Sequence, residues 1–490
     1  MNRLKSLVSL LLVLLLAAAL CFASCDQAAK DDPSGTGTEP PQSETETEEE
    51  TTMIPETEAP TEPATEAPTE APTEAPTEAP TEPETDPERE PLELAFDFEP
   101  YVPEKPAEIT DVKALWISQF DLNGVYTNGK KQRDEADFRS RITAILQNVY
   151  DLGFNTIFLQ VRPNADSMYP SEFYPPSVYV TGSYANDFTY DPLPIIIEEA
   201  RSYGFSIHAW INPMRSVTPA EMKQIPEGYT IRQWYEDDDL RGRYLVEYSG
   251  RIYLNPAYAE VRDLIVYGAR ELLQKYDFDG LHMDDYFYPS DAAASFDADA
   301  YAEYKAEGGK ASLQDFRFDS LSNLVASLYR MTKKQGSDLV FGISPAGNIN
   351  NVKKQFADVN RWCKEPGFID YILPQDYFGF EHATCAFDKV CHTWEDIIKT
   401  DYVSMMIGMS FGKALSKTDQ YAGSGKNEWA NHTDILQRSV EYTMTLDKCR
   451  GLSIFCYQYF FDPVSGAPVA GTRAERDNFL PVFMQATWVK

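Results

Sequence analysis

The stretch Asp279-Gly280-Leu281-His282-Met283-Asp284-Asp285-Tyr286-Phe287-Tyr288-Pro289 sets an apolar, strand-like run against adjacent carboxylates, a histidine and a cluster of aromatic rings. An unpaired buried charge is costly, so adjacent aspartates are seldom found inside a strand core. Their natural place is a strand's C-terminal end, facing a ligand. Paired carboxyl groups can protonate a leaving oxygen and stabilise or attack an oxocarbenium-like centre. Aromatic faces stack on the apolar side of sugar rings. The stretch therefore predicts a saccharide cleft, with Asp284 the first candidate for acid chemistry. By strand alternation His282 and Asp284 share a face, and Asp285 points elsewhere unless the strand has already ended. The same two carboxylates could hold calcium. The chain has 5 histidines, no two at ligand spacing on one helix, so neither a catalytic metal nor a cofactor is expected.

Such residues need elements to position them. From Asp111 onward short apolar runs alternate with helix-period segments, the pattern of parallel strands joined by helical crossovers. The strand runs are 113–120, 156–162, 206–213, 280–287, 340–346, 371–378, 403–410 and 451–460. Helical periodicity falls near 134–151, 192–203, 257–275, 314–335, 352–364, 386–399, 430–446 and 473–484. Eight such pairs predict an α/β fold of the (β/α)8 TIM-barrel class over 111–490. An open doubly wound sheet would call for a glycine-rich phosphate turn after the first strand, and the sequence has none. Active sites of these barrels lie at the C-terminal mouth. The strand ends are rich in polar groups: Ser118, Gln119 and Asp121; Gln160, Arg162 and Asn164; His208, Asn212 and Arg215; His282, Asp284 and Asp285; Ser344 and Asn348; Gln375 and Asp376; Tyr457 and Gln458. Long insertions at 163–191 and 214–255 carry many aromatics and are expected to wall a groove. Tyr169, Phe173, Tyr174, Tyr184, Trp234, Tyr286, Phe287, Tyr288, Tyr377 and Phe378 are the candidates for stacking on a glycan.

The first residues read as an export signal over 1–24: Arg3 and Lys5 precede an apolar run from Leu7 to Phe22. Ala23-Ser24-Cys25 has the form of a bacterial lipobox, so Cys25 is expected to carry the lipid that anchors the chain to a membrane, on the outer side facing the cell wall. Residues 25–110 contain a tandem Thr-Glu-Ala-Pro unit, clear from Thr57 to Pro80, and almost no large apolar side chains. Such a segment cannot build a core, and its prolines and regularly spaced glutamates predict an extended, disordered tether. It holds about −23 of the formal net charge of −34; with about +2 on the signal segment, roughly −13 is left for the barrel. That balance argues against nucleic acid as a partner. Five of the 7 cysteines, Cys363, Cys385, Cys391, Cys449 and Cys456, fall in the barrel. Their spacing is not that of a zinc site; Cys385 and Cys391 could close a small disulfide loop, with buried thiols the alternative.

Taken in order, several short motifs resemble the glycosyl hydrolase-like family 10. They are Ala114-Leu115-Trp116-Ile117, Gly153-Phe154-Asn155-Thr156 leading to Gln160-Val161-Arg162-Pro163, and Tyr190-Asp191-Pro192-Leu193. His208-Ala209-Trp210-Ile211-Asn212-Pro213 with Arg215, Leu254-Asn255-Pro256, the 279–289 stretch, Ser344-Pro345 and Pro374-Gln375 continue the series. The resemblance covers the whole globular part. It implies hydrolysis of glycosidic bonds at a barrel mouth, with cell-wall glycan lacking stem peptides as substrate. Asp279-Gly280-Leu281-His282-Met283-Asp284 is also similar to the fourth-strand pattern of amylase-type barrels, which ends in the nucleophilic aspartate, with His282 in place of an arginine.

The fifth strand lacks the acid that an amylase-like arrangement would place there, which leaves the second carboxyl open. Asp376 is the nearest candidate by topology, followed by Asp121 and Glu381. In a substrate-assisted route the acetamide of an N-acetylated sugar attacks, while Asp284 and Asp285 divide the orienting and acid roles. Gln160, Arg162, His208, Asn212, Arg215, His282, Tyr286, Gln375 and Tyr377 are the expected substrate contacts, and Arg162 could instead pair with an aspartate. A non-catalytic glycan-binding lipoprotein and a hydrolase of some other extracellular polysaccharide are the competing readings.

Overall fold

A computed structural model describes residues 101–489. The expected signal peptide, Cys25 and the repeat-bearing tether as far as residue 100 lie outside the described residues. Eight parallel strands close into one barrel: β1 Val112–Ile117, β2 Thr156–Arg162, β3 Ser206–Ile211, β4 Gly280–Met283, β5 Val340–Ile343, β6 Tyr371–Ile372, β7 Ser404–Ser410 and β8 Cys449–Phe455. Each strand pairs with the next in sequence, and β8 pairs with β1. The crossovers carry α1 Glu135–Asp151, α2 Pro192–Ser202, α3 Ala259–Lys275, α4 Leu313–Gln335, α5 Ile349–Lys354, α6 Phe387–Ile397, α7 Ile435–Thr443 and α8 Arg473–Gln485. The (β/α)8 expectation holds strand by strand.

The helices start where the chain supplies acceptors for their unpaired N–H groups. The Asp134 carboxylate accepts from Ala136 and Asp137 N–H at α1. Asp191 caps α2, with Pro192 in the first turn, where a missing N–H costs nothing. In the third crossover, strands Leu245–Tyr248 and Arg251–Leu254 form an antiparallel hairpin, and residues 214–217 lie along its second strand.

The barrel interior is filled by aromatic and imidazole rings where these folds more often use aliphatic side chains. Trp116, Phe158, His208, His282 and Tyr371 converge there, with the His282 ring stacked 4.2 Å from Phe158. Glycines make the room. A Cβ on Gly342 would lie 2.0 Å from the Tyr371 ring, and one on Gly408 would lie 2.8 Å from Trp116.

This ring cluster contains one directed chain of hydrogen bonds. An indole N–H can only donate, so Trp116 Nε1 fixes His282 Nε2 as an acceptor at 3.1 Å. His282 Nδ1–H then donates to the Tyr371 hydroxyl at 3.0 Å. That hydroxyl donates to His208 Nδ1 at 3.1 Å, leaving His208 Nε2–H for Ser206 Oγ at 3.3 Å. Both imidazoles are neutral: burial lowers the pKa of His208 to about 4 and takes that of His282 well below the usual range. Tyr371→Phe would leave a buried His282 N–H and His208 Nδ1 without partners. Its expected cost is about 1–3 kcal/mol, measurable by chemical denaturation.

Candidate active site

The cleft opens at the C-terminal end of the barrel. It encloses about 700 Å³, part of it open to solvent, and is lined from seven strands or the segments after them. Asp284 and Asp285 lie on its wall because β4 ends at Met283, one residue before them. Past that point the two-residue alternation no longer separates neighbours, so both carboxyl groups face one space.

Burial raises the pKa of Asp284 well above the carboxylate range, and the neighbouring Asp285 adds to the rise. Against this act the Tyr286 N–H, 3.4 Å from Asp284 Oδ1, and the Arg215 charge. The Trp210 indole N–H approaches Asp284 but completes no hydrogen bond. Asp285 is pushed up to about 6, also by burial, while a hydrogen bond from Gln375 and the Arg215 charge hold it down. Gln375 Nε2 also donates to the Ser344 carbonyl at 3.0 Å, and Gln355 Nε2 donates to the Asp285 carbonyl at 2.9 Å. The two acids therefore have unequal surroundings: Asp284 is set to keep its proton and Asp285 to lose it first.

Around the pair, Gln160 accepts from Gln119 N–H at 3.0 Å and donates to Asn212 Oδ1 at 2.9 Å, which fixes both amides in the wall. The Arg215 guanidinium lies over the Tyr286 ring at 4.3 Å. Tyr377 stacks beside Phe455, with ring centroids 6.1 Å apart. Of the expected contacts, Gln160, Asn212, Arg215, Tyr286, Gln375 and Tyr377 line the cleft with the two aspartates.

Four site expectations are corrected. Arg162 is turned out of the barrel, because a β-bulge at Val161 pairs it with outward-facing Ile211; its guanidinium sits over Tyr174 at 4.5 Å. His282 and His208 lie one and two layers beneath the cleft, inside the ring cluster, since His282 pairs with Trp210 and His208 with Gly280. Asp376 alternates with Gln375 and Tyr377 and faces α6, where Cys391 Sγ is 3.5 Å away; burial there raises its pKa well above the carboxylate range. The other two carboxyl candidates are also elsewhere. Asp121 caps the helix after β1 and accepts from Ser118 and Gln458 N–H, whereas Glu381 is outside the lining, 3.7 Å from His432.

The aromatic wall differs from expectation too. Tyr169, Tyr174 and Tyr184 are buried within the insertions, Phe287 and Tyr288 are buried against Trp362, Phe296 and Phe356, and Phe173, Trp234 and Phe378 are partly buried against the hydrophobic core. The cleft rings overlooked in the sequence are Trp116, Phe120, Trp210, Phe455 and Tyr459. Trp210 was recoverable, since it alternates in register between His208 and Asn212. All five barrel cysteines are buried, and Cys385 and Cys391 are separate thiols that do not close the small disulfide loop. Among the described residues no three His, Cys, Asp or Glu side chains cluster as metal ligands.

A closed (β/α)8 barrel with paired carboxyl groups and aromatic rings at its C-terminal mouth has the architecture of glycosidases. Residues 111–422 match the family glycosyl hydrolase-like 10, and the chain belongs to it. It is similar to glycosyl hydrolase YngK of Bacillus subtilis (strain 168), 30% identical over 327 residues, which cover 63% of this chain and 62% of that protein. It is also similar to glycosyl hydrolase DigH of Escherichia coli (strain K12), 31% identical over 288 residues, covering 55% of this chain and 64% of that protein. The chain thus spans less than two thirds of the length of either relative. Among solved structures, the PgaB (BpsB) glycoside hydrolase domain from Bordetella bronchiseptica aligns at 13% identity with a TM-score of 0.46, covering 76% of this chain and 99% of that one.

Proposed function

We propose that this protein hydrolyses glycosidic bonds of an N-acetylated glycan by a substrate-assisted route, with peptide-free cell-wall glycan as the substrate and Cys25 as the surface anchor. The observation that carries this reading is the composition of the cleft: its lining holds two carboxyl groups, adjacent in sequence, at Asp284 and Asp285. An ordinary retaining or inverting enzyme sets its acid and its nucleophile or base on opposite sides of the scissile bond. With both carboxyl groups on one wall, the substrate's own acetamide is the natural nucleophile. Its carbonyl oxygen attacks the anomeric carbon as the bond to the leaving oxygen breaks, and Asp284 gives that oxygen its proton. Asp285, ionised, accepts the acetamide N–H and stabilises the cyclic oxazolinium ion. Water then adds at the anomeric carbon, returns its proton to Asp284 and regenerates the acetamide.

Peptide-free wall glycan, chitin oligosaccharides and a panel of plant and host polysaccharides, each incubated with the protein, separate the readings by the masses of their products. Cleavage is expected for N-acetylated glycans and abolished by removing their acetyl groups. Cleavage that survives de-N-acetylation would defeat the substrate-assisted route, and binding without products would favour a non-catalytic glycan-binding protein.

The two acids also predict a pH profile. Asp285 must be ionised, so activity is expected to rise with pH through about 6. Asp284 must be protonated, and its pKa is raised further, so activity falls again at higher pH. A profile of kcat/KM that is flat between pH 5 and 7 (~) would contradict this assignment.

A further inference from the structure

Beside the carboxyl pair, two arginines share one face of the small antiparallel sheet in the third crossover. Arg215 is bridged directly to Tyr253, and Arg251 is two residues before Tyr253 on the same strand. Burial follows the same parity: Ile252 and Leu254 are buried, whereas Arg251 and Tyr253 are partly open, as is Arg215 on the neighbouring strand. The two residues are therefore diagonal neighbours, on the order of 7 Å apart at Cβ, and the charge of Arg215 bears on Arg251. Arg251 Nη1 donates to the Ser216 carbonyl at 2.6 Å and to Asn164 Oδ1 at 3.3 Å, which holds it next to Arg215.

Like charges at this spacing repel, and a protein normally answers them with a carboxylate. Here, among the described residues, neither arginine forms an ion pair. Glu221 is the nearest acid to bear on Arg251, but its Oε2 already accepts from Thr218 N and Oγ1 at 2.8 Å, closing a helix cap. Burial and Arg215 together lower the pKa of Arg251, whereas that of Arg215 is raised, its burial outweighed by Tyr286, Asp284 and Tyr253; of the two, Arg251 is the charge with the weaker compensation. Asp284 and Asp285 hold at most one proton fewer than two while Asp284 stays protonated, so the four groups leave about one positive charge. One monovalent anion would balance it.

We propose that Arg215 and Arg251 form an anion subsite at the rim of the cleft, which reads a carboxylate carried by the glycan. This rests on the glycan-hydrolase reading and narrows its substrate to an acidic glycan. A planar guanidinium matches a carboxylate with two parallel hydrogen bonds, and Tyr253 and Tyr286 border the place such a group would occupy.

The test is calorimetric binding of two probes to the full chain. One is a peptide-free wall-glycan fragment with free lactyl carboxylates; the other is the same fragment with those carboxylates reduced to alcohols. The carboxylate form is expected to bind at least about tenfold more tightly, and Arg251→Gln to shrink that ratio below about threefold, with Arg251→Lys between them. Equal binding of the two probes to the unaltered protein, or no binding of either, overturns the subsite whatever the variants do. So does an Arg251→Gln protein that melts normally and keeps the full ratio. Product analysis of the same mixtures is a separate readout: a carboxylate preference in binding without cleavage would overturn the hydrolase reading and leave the subsite standing.

Discussion

Asp284→Asn is expected to lower turnover on a cleavable N-acetylated glycan by at least about a hundredfold while leaving the fold intact, since a general acid commonly contributes 10²- to 10⁴-fold. The amide keeps the size of the side chain but cannot give a proton to the leaving oxygen. Stability should move the other way. Burial and Asp285 raise the folded-state pKa of Asp284 well above its value in an unfolded chain. Between those two values the folded protein binds a proton that the unfolded chain has released, so stability falls as pH rises above roughly 3.9, until the folded pKa is passed. Asparagine has no proton to lose, so the variant should unfold at the same or higher denaturant concentration than the parent at neutral pH. Loss of activity with retained or increased stability is the signature of a group held in an unfavourable state for chemistry. Undiminished turnover would remove Asp284 from the acid role, and a lower unfolding midpoint would show that its carboxyl group serves the packing instead.

The order of strands and helices was legible because each barrel strand is a short apolar run and each crossover helix has its own amphipathic period. Which side chains enter the cleft depended on finer geometry. Simple alternation puts Gln160 inside correctly, but the extra residue at Val161 reverses the next position and turns Arg162 outward, and the sequence carries no mark of that bulge. His208 and His282 do face inward as alternation requires. They miss the cleft by depth: inward positions on one strand are spaced by two residues, about 6.6 Å along the axis, so a histidine two positions before Asp284 lies below the floor. Asp376 is turned outward because bridges from Gln375 to Ala346 and Gly408 carry the strand alternation past Ile372, which leaves Gln375 and Tyr377 on the cleft side and the aspartate between them on the other. Asp285 shows the opposite case, entering because its strand stops early. The insertions' aromatics were legible as apolar mass but not as surface; whether a ring faces a ligand or a helix is decided by the path of the loop.

Asp297→Ala is expected to destabilise the protein by about 3–5 kcal/mol, the cost of stranding a buried charge. The segment after Asp284-Asp285 is fastened to α4 by one arginine. Arg317 Nε donates to Asp297 Oδ2 at 2.9 Å and Nη2 to Oδ1 at 2.6 Å, while Nη1 and Nη2 reach the Ala292 and Ala293 carbonyls, each at 2.7 Å. Both ionic side chains are almost wholly buried, at 2% and 0% exposure. The guanidinium also lies over Phe356 at 4.6 Å and Tyr288 at 5.8 Å. Alanine would leave that charge with carbonyl dipoles and ring faces alone, in a place that water does not reach. Replacing both partners removes the charge as well as its counter-charge, and a buried pair exchanged for apolar groups of similar volume is often near neutral. Asp297→Leu with Arg317→Met should therefore recover most of what the single variant loses, as read by chemical denaturation. If the single variant lost less than about 1 kcal/mol, this ion pair would not be what holds the segment behind the two cleft aspartates.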